Sequence, residues 1–283
     1  MKKTLVIAGI LCALALTGCR TKFDTRALDT LTSLSQITPA NIGVAQMLVD
    51  DSINVNGAKA SVEILVDFPE SGNFFVINNI REWISEQLGG TYAGNTENGQ
   101  QLLDHYRKSI LNNMRENIRP DLPPVEDMAC YENWTFVKFH ETDKYVTYTC
   151  SREGYGGGAH GWFVHEGQTF RKSDGRRIDY DIFRTESRDE LAELVKDNIF
   201  TQYFESNKEE FENGLLLENP EYFPLPEAAP CFTDKGVAFI YQQYEIAPYA
   251  LGLPTCVISY DLIEPFLTQA GRELVNISRV AEN

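Results

Sequence analysis

Tyr155-Gly156-Gly157-Gly158-Ala159-His160-Gly161-Trp162-Phe163 is the stretch from which the organisation of this chain is read. Four glycines among its first seven residues allow positive φ and close backbone approach, which excludes an ordinary helix or strand interior. The segment is a shaped loop that carries an imidazole and several aromatic rings. It lacks the glycine spacing of a dinucleotide-binding turn and any following Gly-Lys-Ser/Thr, so nucleotide binding is not indicated. Aromatic and β-branched residues crowd both sides. Residues 134–140 and 144–151 read as a hairpin about Glu141-Thr142-Asp143, and 162–171 as a strand that turns at Asp174-Gly175 into another over 177–182. The loop therefore joins antiparallel strands. A tight strand crossing, with His160 satisfying a buried backbone group, is the plainer use of the same residues.

Further out, Val62, Ile64, Val66 and Phe68 alternate with acidic residues as in a half-buried strand ending at Pro69. Ile77, Ile80, Ile84 and Leu88 recur at helical spacing before Gly89-Gly90, and Leu103, Tyr106, Ile110, Met114 and Ile118 line a second helix ending before Pro120. Both stripes read as core. Ser187-Arg188-Asp189-Glu190 has capping-box spacing for a helix over about 188–205. Residues 237–244 and 255–259 read as strands flanking the loop Tyr244-Glu245-Ile246-Ala247-Pro248-Tyr249-Ala250-Leu251-Gly252, and Asp261 starts a short helix that bends at Pro265. The expected fold class is α+β: an antiparallel sheet with packed helices, in two subdomains divided at the proline-rich stretch 120–127.

The chain opens with Lys2-Lys3, an apolar run over 5–16 and Leu16-Thr17-Gly18-Cys19, which is a secretory signal too short to span a membrane. Leu-Thr-Gly-Cys resembles the bacterial lipobox and implies cleavage before Cys19 and lipid attachment there. Arg20 stands where an inner-membrane retention aspartate would be, so the expectation is an outer-membrane lipoprotein on the periplasmic or surface face. The expected divisions are a signal peptide (1–18), a tether (19–45), an N-terminal α+β subdomain (46–120) and a C-terminal α+β domain (121–283). Net charge is -16 and falls to -18 without the signal. That surface repels nucleic acid and steers cationic partners towards it. Hydrophobic residues make up 43% of the chain, enough for a packed core.

Cys130, Cys150, Cys231 and Cys256 remain beyond the signal and anchor. An even count in an exported chain suggests two disulfides. Three connectivities are possible. The sequential pairing is the expectation, with Cys130–Cys150 sitting less well in a simple hairpin register than Cys231–Cys256. No Cys-x-x-Cys or zinc spacing occurs.

Three ordered motifs resemble a known family. They are the glycine loop, Ser173-Asp174-Gly175-Arg176 before Asp181-Ile182-Phe183, and Phe239-Ile240-Tyr241-Gln242-Gln243-Tyr244-Glu245-Ile246-Ala247-Pro248-Tyr249-Ala250. Together they are similar to the RsiV-like C-terminal domain family, shared by the lysozyme-sensing anti-sigma factor RsiV and the non-catalytic part of the peptidoglycan deacetylase PdaC. The resemblance implies an α+β fold and a recognition role in the envelope. A sigma-binding segment, a membrane helix and a deacetylase domain do not carry over.

Catalytic signatures are weak. The sequence has neither a Gly-x-Ser-x-Gly elbow nor His-Glu-x-x-His. His160 and His165, five apart in a strand reading, face opposite ways, and Asp179 and Asp181 on one strand face read as a solvated acidic surface. No enzyme activity, cofactor or metal is expected. The expected binding residues are Tyr155, Gly157, Gly158, His160, Trp162, Tyr244, Glu245 and Tyr249, for a cationic protein such as a lysozyme or for a cell-wall glycan. A peptidoglycan-modifying accessory protein and a structural lipoprotein without ligand are the alternatives.

Overall fold

A computed structural model of the chain describes residues 41–55, 57–118, 129–217 and 222–276. Alternating burial builds β1 (Gly43–Val55) and β2 (Ala58–Ser71), which pair antiparallel along their whole length. They are followed by β3 (Ala129–Glu141), β4 (Tyr145–Tyr155), β5 (Trp162–Arg171) and the two-residue β6 (Arg177–Ile178). The six form one sheet in chain order. Every neighbouring pair is antiparallel except β2 and β3, which run parallel. A parallel step requires a crossover. Here it carries α1 (Phe74–Gln87) and α2 (Gly99–Asn117), each N-capped by an asparagine side chain, Asn73 and Asn98.

The helices bury their apolar stripes on one face of the sheet. Val76, Ile80 and Ile84 of α1 and Leu103, Tyr106 and Ile110 of α2 meet Ile64, Val66, Phe136, Tyr148 and Phe170 in one core. The Trp83 ring sits edge-on to Phe136 and Phe170, with centroids 5.9 and 6.1 Å away. The opposite face of β4 and β5 carries a second core. It is built from a small antiparallel sheet, β7 (Cys231–Phe232), β8 (Val237–Ile240) and β9 (Thr255–Ile258), with α3 (Arg188–Asn198) and the short helices α4 (Lys208–Gly214), α5 (Tyr260–Ile263) and α6 (Gln269–Leu274). Threonines join the two layers: the Thr147 hydroxyl donates to the Phe232 carbonyl at 2.7 Å, and the Phe232 N–H donates to the Thr169 hydroxyl at 3.1 Å.

One end of the large sheet is closed by charge. Lys172 is fully buried and pairs with Glu141 at 2.9 Å, while donating to the Thr142 carbonyl. Glu141 also accepts from the Ile42 N–H and from Lys138. Burial works to raise the Glu141 carboxyl, but the bonds from Lys172, Ile42 and Lys138 outweigh it and hold the carboxyl below its ordinary value.

Several expectations are corrected. The four cysteines are free and buried. Cys150 lies opposite Phe136, six residues along β3 from Cys130, or roughly 20 Å. Cys231 and Cys256 flank β8 on either side, opposite Ala238 and Phe239. They are thus two strand spacings apart, about 9–10 Å, and on opposite faces, beyond the reach of a disulfide. Burial instead pushes the Cys231 and Cys256 thiols up to about 12. The strand expected over 177–182 ends at Ile178, after which Asp179 caps a 3-10 turn, so Asp179 and Asp181 share no strand face. Ser187 makes no side-chain cap bond. The strand expected to reach 244 stops at Ile240. β1 begins at Gly43, inside the expected tether. The expected division at 120 falls among residues outside the described ones, and β2 and β3 pair on either side of it. Cys19 also lies outside the described residues. No described helix is long and apolar enough to cross a membrane.

Two outcomes follow from these contacts. Reductant leaves the thermal midpoint unchanged, since no described cysteine pair is bonded, and the four thiols react with a thiol reagent only once denaturant unfolds the chain. Lys172→Met, which strands the buried Glu141 carboxylate with one cation fewer, lowers stability by about 3 kcal/mol, read as a shifted urea midpoint.

Candidate functional site

At the end of the sheet opposite the Lys172–Glu141 pair, Gly154 and Trp162 close the β4–β5 hairpin. The indole lies over the strand at Gly154, where a Cβ would come within 2.6 Å of the ring. The loop between them turns at Gly157, whose φ of +88° favours glycine. A side chain at Gly156 or Gly158 would meet only open space. The Tyr155 hydroxyl donates to the Gly158 carbonyl at 2.9 Å and pins the loop. His160 is exposed, with Nδ1 2.7 Å from the Gly161 carbonyl. A carbonyl only accepts, so Nδ1 carries the proton and Nε2 is the acceptor of the neutral ring.

The second loop begins where β8 stops. Glu245 binds it together: one carboxylate oxygen accepts from the Gln242 N–H and the other from the Glu227 N–H, both at 2.7 Å. Burial raises the Glu245 carboxyl above its ordinary value, with the two N–H bonds opposing. Tyr244 adopts φ +67°, a left-handed conformation that costs a tyrosine about 1–2 kcal/mol, and the residue is 56% exposed. A 3-10 turn over Tyr249–Leu251 follows and ends at Gly252, with φ +70°.

Two glutamines dock this loop on the sheet. The Gln242 amide brackets His165, donating to its carbonyl at 2.8 Å and accepting from its N–H at 3.2 Å. Gln243 accepts from the Phe163 N–H at 3.2 Å. β6 pairs with β5 only at Thr169 and Phe170, so the side-chain amides take over the ladder where the partner strand has ended.

The two loops therefore meet. The His160 and Tyr249 rings stack at 4.1 Å and 26°, and Tyr244 lies 6.4 Å from Tyr249. Of the expected residues, these three come together at the surface. Tyr155, Gly157 and Gly158 shape the loop that presents His160. Glu245 turns inward and spends both oxygens on backbone. Trp162 is 37% exposed but belongs to the opposite face of the sheet, over Gly154, because it alternates with Phe163. His160 lies in the loop rather than on a strand with His165, whose Nδ1 is 2.7 Å from the Ser151 hydroxyl and whose pKa burial lowers. No group of three or more His, Cys, Asp or Glu among the described residues is placed to hold a metal.

Sequence reasoning missed Phe163, Gln242 and Gln243. Phe163 is exposed and parallel to His165 at 6.5 Å. The available signal was a pair of amides following an apolar strand, at the point where ladder partners run out. Acidic residues border the site. Gly214 at the end of α4 packs on Leu251, and the Leu216 N–H donates to the Ile246 carbonyl, which places α4, with Glu209, Glu210 and Glu212, beside the second loop.

Residues 180–261 match the family model described as "Protein of unknown function (DUF3298)", the family to which the RsiV-like resemblance leads. The matched span contains the 241–252 loop and not the glycine loop. Among solved structures, a DUF3298 family member from Bacteroides fragilis is 17% identical with a TM-score of 0.69, over 84% of this chain and 99% of that one. A DUF3298 family protein from Pseudomonas aeruginosa is 14% identical with a TM-score of 0.52, over 81% and 96%. At these identities the likeness is one of fold. The curated proteins contain no match.

The raised Glu245 carboxyl has a consequence for pH dependence. Its folded pKa lies above the unfolded value, so its contribution to stability is present below the unfolded pKa and is lost as pH rises through the folded one. Wild type therefore loses thermal stability relative to Glu245→Gln between pH 4 and pH 7, measured as the difference in Tm at each pH.

Proposed function

We propose that the chain is a non-catalytic recognition module of the bacterial cell envelope, lipid-attached at Cys19 to the outer membrane, that binds a cationic protein of the lysozyme kind through His160, Tyr244 and Tyr249. The observation that carries this reading is the stacking of His160 on Tyr249 from a separate loop, with Tyr244 held beside them in a strained conformation. Loops that only connect strands have no need to converge their aromatic rings at the surface, whereas recognition sites use rigid aromatic area with little side-chain entropy to lose. The acidic residues of α4 and the net charge of -18 without the signal favour a basic partner and arginine–ring contacts. The RsiV-like resemblance supports the same class of partner.

A cell-wall glycan is the second reading. It is favoured by the near-parallel His160–Tyr249 pair, whose flat stack suits the apolar face of a sugar ring.

Calorimetric titration of the chain with a lysozyme and with muropeptides, at low and high salt, separates the two. Saturable lysozyme binding that weakens steeply with salt and falls at least tenfold in Tyr249→Ala supports the first reading; salt-insensitive muropeptide binding with the same loss supports the second. Absence of binding to either by folded wild-type protein, or full affinity in folded Tyr249→Ala, overturns the proposal.

A further inference from the structure

Phe74 and Phe75 open α1 with their rings turned to solvent, 58% and 61% exposed, edge to face at 5.7 Å. Two adjacent phenylalanines this exposed at a helix start serve no core. They lie at the sheet end remote from the candidate site. β1 begins at this end, β2 stops there, and the β3–β4 and β5–β6 turns fold over it. The Asn73 side chain donates to the Lys172 carbonyl at 2.9 Å, and Gly175 of the β5–β6 turn packs against the Phe75 backbone.

Charge divides the molecule along the same axis. The turn beside the aromatic pair carries Arg171, Lys172, Arg176 and Arg177 against Asp174. Its arginines pair with Asp174, Asp181 and Glu86, and Glu70 lies near Phe74 in sequence, so this end is close to neutral. The opposite end carries Glu153 and the acidic α4. Near an anionic bilayer the acidic end is repelled and the neutral, aromatic end is not.

Residue 41, the first described, is also at this end: Lys172 donates to the Asn41 side chain, and Lys138 to the Ile42 carbonyl. With lipid at Cys19, residues 20–40 span at most about 70 Å when fully extended, a covalent limit that permits either end of the sheet to meet the membrane. Surface chemistry must then select which end meets the membrane. We infer that Phe74 and Phe75, with the 171–177 turn, form an interfacial membrane contact that holds the His160–Tyr249 end away from the bilayer. The aromatic rings enter the headgroup boundary while the arginines remain at phosphate level. The inference rests on the lipid-anchored reading and is independent of which ligand the loops bind.

The test uses the full lipidated chain reconstituted in phosphatidylcholine/phosphatidylglycerol vesicles. A fluorophore is placed at Ser173→Cys or Ala159→Cys, and a headgroup-level nitroxide lipid serves as quencher. Quenching at 173 at least twice that at 159, lost on adding Phe74→Ser and Phe75→Ser with native circular dichroism, is the expected result. If the double change disturbs folding, Phe75→Ser alone is read. Equal quenching at the two positions, quenching that survives removal of the aromatic rings, or greater quenching at 159 overturns the inference. Failure of the chain to associate with vesicles overturns it together with the lipid-anchored reading, whereas failure to bind lysozyme or muropeptide leaves it intact.

Discussion

The structure depends on β4 being buried on both faces. All six residues from Tyr145 to Cys150 are inside, so alternate side chains must satisfy two different cores. Val146, Tyr148 and Cys150 join the helix-covered core, whereas Tyr145 joins the second, its ring 5.6 Å from Phe232. Polar residues on a doubly buried strand are costly unless paired. Thr147 and Thr169 meet that condition by bonding each other at 2.9 Å and the two backbone groups of Phe232. One pair of hydroxyls thus settles which strand of the small sheet lies against the large one, and in what register.

The candidate site inherits its position from this arrangement. β4 and β5 leave the double core at residues 151–155 and 162–165 and carry the glycine loop beyond it. β8, held against the same strands through β7, directs the second loop towards the same end. Convergence of His160 and Tyr249 therefore follows from strand geometry, with Gln242 and Gln243 making the final connection by side-chain bonds. Such bonds bridge segments some eighty residues apart without committing the loop to a fourth strand.

Periodicity made the two crossover helices, the β3–β4 hairpin and the α+β class legible, because each is a local pattern that burial enforces. The parallel β2–β3 step was not legible: pairing direction depends on where a crossover returns the chain, and its residues read as core either way. The cysteines misled for a related reason. Parity and an export signal favour bridges, yet bonding requires proximity, and the β7-β8-β9 order puts Cys231 and Cys256 on opposite sides of a strand. Asp179 and Asp181 failed as a strand pair because β6 stops after two residues. Within the site, aromatic residues in glycine- and proline-marked loops were visible one by one. Their partition was not: His160, Tyr244 and Tyr249 cluster, Trp162 goes to the other face, and Glu245 holds backbone.

The two ends of the large sheet are stabilised by different means, and the difference suits the recognition role proposed above. At the Lys172 end a buried cation, a carboxylate and two backbone carbonyls fix three chain segments at once. Such a network has little tolerance for partial opening, because any departure strands a charge away from water. At the His160 end the loop is docked on the sheet by neutral hydrogen bonds from Gln242 and Gln243, the Glu245 carboxylate ties it to the backbone of residues 242 and 227, and Tyr244 sits in a strained backbone conformation. A rearrangement confined to Tyr244 and the glycine loop would break few bonds and release that strain, while Ile246 and Ala247 stay in the second core. On the recognition reading proposed above, the surface that meets the partner is mounted on a scaffold whose opposite end is locked.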